Sequence, residues 1–133
     1  MKTAYIMRGI PGSGKSTVAK ALAGANGVIH STDSYFMVDG KYQFDPSKLG
    51  AHHTSNLSSF AESCRVGIEV VICDNTNINP AHYQPYYDIA ENMGYMVHVL
   101  TVGGISAETA FARNSHGVPL HAVQRMYDQA DFK

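Results

Sequence analysis

The chain has 133 residues, with ten Lys plus Arg against eleven Asp plus Glu and a formal net charge of −1. A hydrophobic share of 44% with 16% charged residues is the composition of one globular unit, large enough for a core yet small for a nucleotide-binding α/β fold. No run of 18 apolar residues is present, so neither a membrane span nor a secretory leader is expected, a cytoplasmic location is, and the near-neutral balance disfavours a protein that grips long duplex nucleic acid through a basic face.

In chain order, the apolar run Ala4–Met7 predicts a buried strand that leads directly into "RGIPGSGKST", Arg8 to Thr17. Gly9, Gly14, Lys15 and Ser16 satisfy the phosphate-loop pattern G-x-x-x-x-G-K-[ST]. Glycines at 9, 12 and 14 free the backbone to turn several N–H groups toward one anion, and the helix that follows adds its positive end. The ligand this predicts is ATP with Mg²⁺. Gly12, Ser13, Gly14, Lys15, Ser16 and Thr17 form the cradle, Lys15 bridges the β and γ phosphates, and the Ser16 hydroxyl reaches the metal. A helix over Ser16–Ala25 is expected to turn Val18, Ala21 and Leu22 inward.

Val28–His30 reads as a second buried strand, ending just before "STDSYF". Asp45 followed by Pro46 marks a helix start, and Leu49, His53, Leu57, Phe60 and Cys64 carry its apolar stripe to about Arg65. Val70–Cys73 is a third strand. Asn79 and Pro80 mark another start, which Pro85 interrupts, so a short turn and then a helix over Pro85–Met93 is expected. Tyr95–Val102 is the fourth strand, followed by helices over Ala107–Arg113 and Pro119–Asp131 on either side of "NSHGV". Alternating strands and helices predict an α/β fold of three layers with a parallel sheet, one domain over 1–133. Cys64 and Cys73 have no metal spacing and are expected to be reduced and buried.

Three further residues supply chemistry. Asp74, after four apolar residues, stands where a strand-end carboxylate holds Mg²⁺ together with Ser16. Asp33 ends the second strand, where an acid can take the proton of an attacking hydroxyl. Arg113, at a helix end before a glycine-containing loop, suits a lid that closes over the γ phosphate; Arg125, beside Val123 and Met126, suits a surface or salt-bridge role.

The motifs "GIPGSGKST", "STDSYF", "DGKYQFDPSKLG", "VICDNTNINP" and "ARNSHGVPLHAVQRMY", in this order over nearly the whole chain, resemble the P-loop kinases of the phage polynucleotide kinase type and the NEDD4-binding-protein-2-like kinase domains. The resemblance implies an adenylate-kinase-like core with a helical lid. It also implies transfer of the γ phosphate of ATP, with Mg²⁺, to the 5′-hydroxyl of a DNA or RNA end. It implies Asp33 as general base, Arg113 as the lid arginine, and Asn75, Thr76 and Asn77 of "DNTN" beside the acceptor. His53 and Asn56 match a helix pair of the second branch, for which ordinary core hydrogen bonding is expected. Where the phage enzyme has an arginine for the acceptor's 3′-phosphate, this chain has Phe36, a ring able to stack on a base, as are Tyr35 and Tyr42. Two other readings stay open from the residues: a kinase of a small-molecule hydroxyl, and an ATP-binding interaction module without an acceptor.

Overall fold

The computed structural model describes residues 1–132. Four strands form one parallel sheet in the order β2-β5-β1-β6: β1 (Thr3–Arg8), β2 (Val28–His30), β5 (Val70–Asp74) and β6 (Met96–Thr101). Parallel neighbours cannot be joined by a tight turn, so each connection crosses over through a helix. These helices are α1 (Lys15–Ala23), α2 (Leu49–Arg65) and α3 (Pro80–Asn92), with α4 (Ala107–Arg113) and α5 (Leu120–Gln129) after the last strand.

β1 is central, paired to β5 from Thr3↔Val70 and to β6 from Thr3↔Met96. Its side chains alternate between the two faces. Ala4 and Ile6 pack with Phe60, Cys64, Tyr86 and Ala90 of α2 and α3, whereas Met7 packs with Ala19 of α1 and Ile72 of β5. Helices therefore cover both faces, giving the three layers expected. A third cluster, Ile10, Ile78, Ala107, Ala110, Val123 and Ala130, seats α4 and α5 on the start of the phosphate loop. Cys64 and Cys73 are free and buried, and burial pushes their thiols up to about 11 and about 12, which leaves them unreactive.

Three elements differ from expectation. α1 turns Ala19 inward, with Leu22 and Ala23 beside it, while Val18 is 37% exposed. The small Ala19 side chain lets the helix approach Met7 and Ile72 closely, so packing distance overrides side-chain size. α3 runs without a break through Pro85. Its start is pinned at Asn79, which accepts from the Ala81 N–H at 2.9 Å and donates its own N–H to His82 Nδ1 at 3.4 Å. Pro85 then forgoes only the bond to the Ala81 carbonyl, on the exposed side. Finally, β3 (Met37–Val38) and β4 (Lys41–Tyr42) form an unforeseen antiparallel hairpin. Asp39 and Gly40, at φ 50 and 78, make its turn, and this Asp-Gly pair between Met37-Val38 and Lys41-Tyr42 was the available signal.

Candidate active site

The sheet's C-terminal edge opens into a cleft of about 900 Å³. Its floor is the phosphate loop. A Cβ on Gly9 would meet Ser13 Oγ at 2.4 Å and the Val102 carbonyl at 2.8 Å; one on Gly12, at φ +84, would stand 1.9 Å from the Ala110 carbonyl of α4. Gly14, at φ +98, is the N-cap of α1, and no acidic residue occupies the first turn, so the helix's positive end is left for an anion. Gly12, Gly14, Lys15, Ser16 and Thr17 all line the cleft. Ser13 is 7% exposed and donates its N–H to the Ile10 carbonyl at 3.1 Å, so it shapes the loop from within.

Asp74 ends β5 with 6% exposure. Its Oδ2 accepts from the Ser16 hydroxyl at 2.8 Å, and Lys15 Nζ stands 4.0 Å from Oδ1. Oδ1 is buried with no hydrogen-bond partner. A buried carboxylate oxygen left open next to a hydroxyl and a phosphate cradle fits Mg²⁺. Among the described residues no cluster of three metal-binding side chains exists, so phosphate oxygens and water would complete an octahedral shell.

Asp33 sits on the 3-10 turn Thr32–Phe36 that follows β2, and it lines the same cleft. That turn is anchored on both sides. The Thr32 N–H donates to Asn75 Oδ1 at 2.9 Å, and the Thr32 hydroxyl meets His53 Nδ1 at 3.0 Å. Burial, then the charges of His82 and His52 opposed by Asp33, lowers the His53 pKa, so the ring is neutral at pH 7. The Asp33 carboxylate is 43% exposed and takes two contacts: the Tyr42 hydroxyl donates to Oδ1 at 3.3 Å, and His116 Nδ1 lies 3.4 Å from Oδ2. Tyr42 and His116 stack with centroids 4.3 Å apart. Burial and the neighbouring Asp33 push the Tyr42 phenol up to about 12, so it stays a donor throughout the ordinary pH range.

Arg113, at the end of α4, faces the cleft as expected, and Arg125 of α5 faces it too. Among the described residues neither has a carboxylate within ion-pair distance. Of the surface or salt-bridge role expected of Arg125, the exposed position holds, no ion pair is formed among the described residues, and the side chain borders the cleft. Its neighbour Met126 lines the cleft while Val123 is buried, so α5 tilts the arginine toward the ligand side. The loop between α4 and α5 is braced by Asn114, whose Oδ1 accepts from the Val118 N–H at 3.0 Å and whose Nδ2 donates to the Phe111 carbonyl at 2.8 Å.

Several expected substrate residues stand elsewhere. Asn75 and Thr76 line the cleft; Asn77 and Tyr35 do not. Asn77 is 3% exposed and donates Nδ2 to the Met7 carbonyl at 2.8 Å, binding the "DNTN" turn to β1. Tyr35, on the 3-10 turn, packs against α2, its hydroxyl 3.0 Å from Ser59 Oγ and its ring stacked on His52. Phe36, with 2% exposure, has no face for a base. Asn56 is a core residue that donates to the Tyr86 hydroxyl at 2.9 Å, whereas its companion His53 reaches the cleft. Arg8, given no role from sequence, is buried. It donates to the Asn77 and Ile78 carbonyls at 2.9 and 3.1 Å and pairs with Asp131 at 2.6 Å. His116, Phe44 and Thr32 are among the cleft residues the sequence did not single out; the place of His116 within "RNSHGVP" was the one sign of any of them.

A family model described as an AAA domain matches residues 5–130. The chain belongs to this AAA domain family. Within it, the domain is 36% identical over 138 residues to NEDD4-binding protein 2 of Homo sapiens, covering 96% of this chain and 8% of that protein. It is 32% identical over 99 residues to 2′,3′-cyclic-nucleotide 3′-phosphodiesterase of Rattus norvegicus, covering 72% of this chain and 23% of the relative. The AAA domain described here therefore spans a small part of either relative's length. A chain of the Pnkp1/Rnl/Hen1 RNA repair complex superposes with a TM-score of 0.68 at 17% identity, over 98% of this chain and 44% of that one. The likeness shows a shared fold. The resemblance to NEDD4-binding-protein-2-like domains read from the motifs stands, and the α/β fold with its phosphate loop is the one shared with these P-loop structures.

Proposed function

We propose that the domain transfers the γ-phosphate of ATP to the 5′-hydroxyl of a nucleic-acid end. The observation that carries this reading is the convergence of Lys15, Ser16, Asp33 and Arg113 on one cleft, since nucleotide binding alone needs neither the acid nor the lid arginine. The acceptor hydroxyl gives its proton to a carboxylate oxygen of Asp33 as its own oxygen bonds to the γ phosphorus in line. The bond from that phosphorus to the β–γ bridging oxygen breaks, and ADP leaves. Lys15 and Arg113 hold the charge that spreads over the phosphoryl oxygens. Ser16 and Asp74 would hold Mg²⁺, which would supply positive charge toward the transferring phosphate. Asn75 acts through Thr32 to position the base, and Tyr42 orients its carboxylate. The motif resemblance to polynucleotide kinases and the fold shared with a chain of an RNA repair complex support a nucleic-acid acceptor.

The test is a panel of 5′-hydroxyl oligonucleotides, mononucleotides and sugars incubated with labelled ATP and the purified chain. Label is expected on the oligonucleotide 5′ end. Asp33→Ala is expected to lower kcat by ~10²–10⁴ with ATP affinity retained, the usual effect of losing a general base. Label on sugars alone, or an Asp33→Ala variant that turns over at the parental rate, would refute the reading.

A further inference from the structure

The cleft has two unlike walls. Its lysine and arginine side chains, Lys15, Arg113 and Arg125, come from the phosphate loop, α4 and α5. The opposite wall, from the Asp33 turn through the β3–β4 hairpin to α2, contributes Asp33, Tyr42, Phe44, Leu49 and His53, with no lysine or arginine among the described residues. Phe44 is the conspicuous member. It is 51% exposed although it stands two residues beyond the hairpin strand β4 and lines the cleft. The ring is not loose. It leans on Phe36 with centroids 5.0 Å apart, and Phe36 is locked edge-on against Tyr42 at 6.1 Å and His52 at 4.5 Å. Phe44 is thus one ring removed from Tyr42, whose hydroxyl touches the Asp33 carboxylate.

A braced, half-open aromatic ring, with apolar Leu49 in the same lining and no lysine or arginine on that wall, offers flat apolar area and no counter-charge for a phosphate. A nucleoside meets this arrangement well, because it carries a flat heteroaromatic ring one sugar away from its 5′-oxygen. We infer that Phe44 is the stacking platform for the acceptor's terminal nucleobase, so that the acceptor subsite recognises a base by its face and not an end by its phosphates. The inference rests on the proposed 5′-hydroxyl kinase activity and names the feature of the acceptor that the site holds.

The experiment is a cycle of two acceptors and three proteins under saturating Mg·ATP. The acceptors are one 5′-hydroxyl oligonucleotide and its counterpart with an abasic 5′-terminal sugar. The proteins are the parent chain, Phe44→Ala and Phe44→Tyr. For the parent, loss of the base is expected to raise acceptor KM on the order of tenfold to a hundredfold, the size of one base–aromatic stack. Phe44→Ala is expected to raise KM similarly on the intact end, to have no further effect on the abasic end, and to leave the ATP KM unchanged. Phe44→Tyr keeps the ring and is expected to behave as the parent. Equal losses for Phe44→Ala on both acceptors, or no loss on either, would overturn the platform while leaving the kinase reading intact. Failure of the parent to phosphorylate either oligonucleotide would overturn the kinase reading and the platform with it.

Discussion

Arg8 shows how much a single side chain can bind together. The residue is 6% exposed, its guanidinium lies over the rings of Tyr83 and Phe132, and it donates to the Asn77 and Ile78 carbonyls at the end of the "DNTN" turn. Replacing it with Met keeps the volume but strips the Asn77 and Ile78 carbonyls of their donor, so Arg8→Met is expected to destabilise the fold by about 2–3 kcal/mol in urea unfolding. Asp131 is half exposed, and Asp131→Asn is expected to cost less than about 1 kcal/mol. Equal losses from the two substitutions would show that the ion pair, not the carbonyl contacts, is what matters. Lys15, Ser16, Asp33 and Arg113 were legible because each belongs to a local motif at a strand or helix end. Arg8 and Asn77 were not, because their partners lie 69 or more residues away in sequence, where only the fold can join them. Asn77 was misjudged for the same reason, since a polar residue in an acceptor-side motif and a polar residue tying two strands look alike until β1 is set beside it.

Between elements, the contact that matters most for function is α4 on the phosphate loop. Gly12 and Gly14 both have positive φ, yet only Gly12 faces a neighbour, the Ala110 carbonyl of the lid helix. Gly14→Ala carries backbone strain alone, about 1–2 kcal/mol. Gly12→Ala adds a collision that α4 can relieve only by lifting away and taking Arg113 with it. The expected outcome is a loss of kcat in Gly12→Ala that exceeds the loss in Gly14→Ala by at least about tenfold, read in steady-state transfer assays with thermal unfolding as the control for folding. Equal losses would mean that the lid does not depend on this seat. Strands were the easiest elements to read, because a parallel sheet covered on both faces makes each one a short continuous apolar run. The face of α1 and the continuity of α3 were harder. The first depends on how closely Ala19 can approach the sheet, the second on a cap at Asn79 strong enough to carry the helix past Pro85.

Over the whole molecule, two histidines couple stability to pH. Burial lowers the pKa of His30, which contacts Ser63 Oγ at 2.8 Å, and lowers that of His53 below the same ordinary value of 6.5. In both, the folded state favours the neutral ring. The unfolded chain therefore binds protons first as pH falls through 6.5, and stability present above that value drains away until the lower folded values are passed. The melting temperature is expected to fall between about pH 7.5 and about pH 5.5, with a shallower slope in His30→Gln. A flat profile in the parent chain would refute the assignment.

The pairing of Arg8 with Asp131 spans 123 residues. During synthesis the buried cation of β1 has no counter-ion until Asp131 has left the ribosome. The phosphate loop begins at the next residue, Gly9, whose N–H is itself held by the Thr76 carbonyl. A nascent chain paused short of Thr76 would thus carry a complete phosphate-loop sequence without the backbone carbonyls that hold its entrance in place.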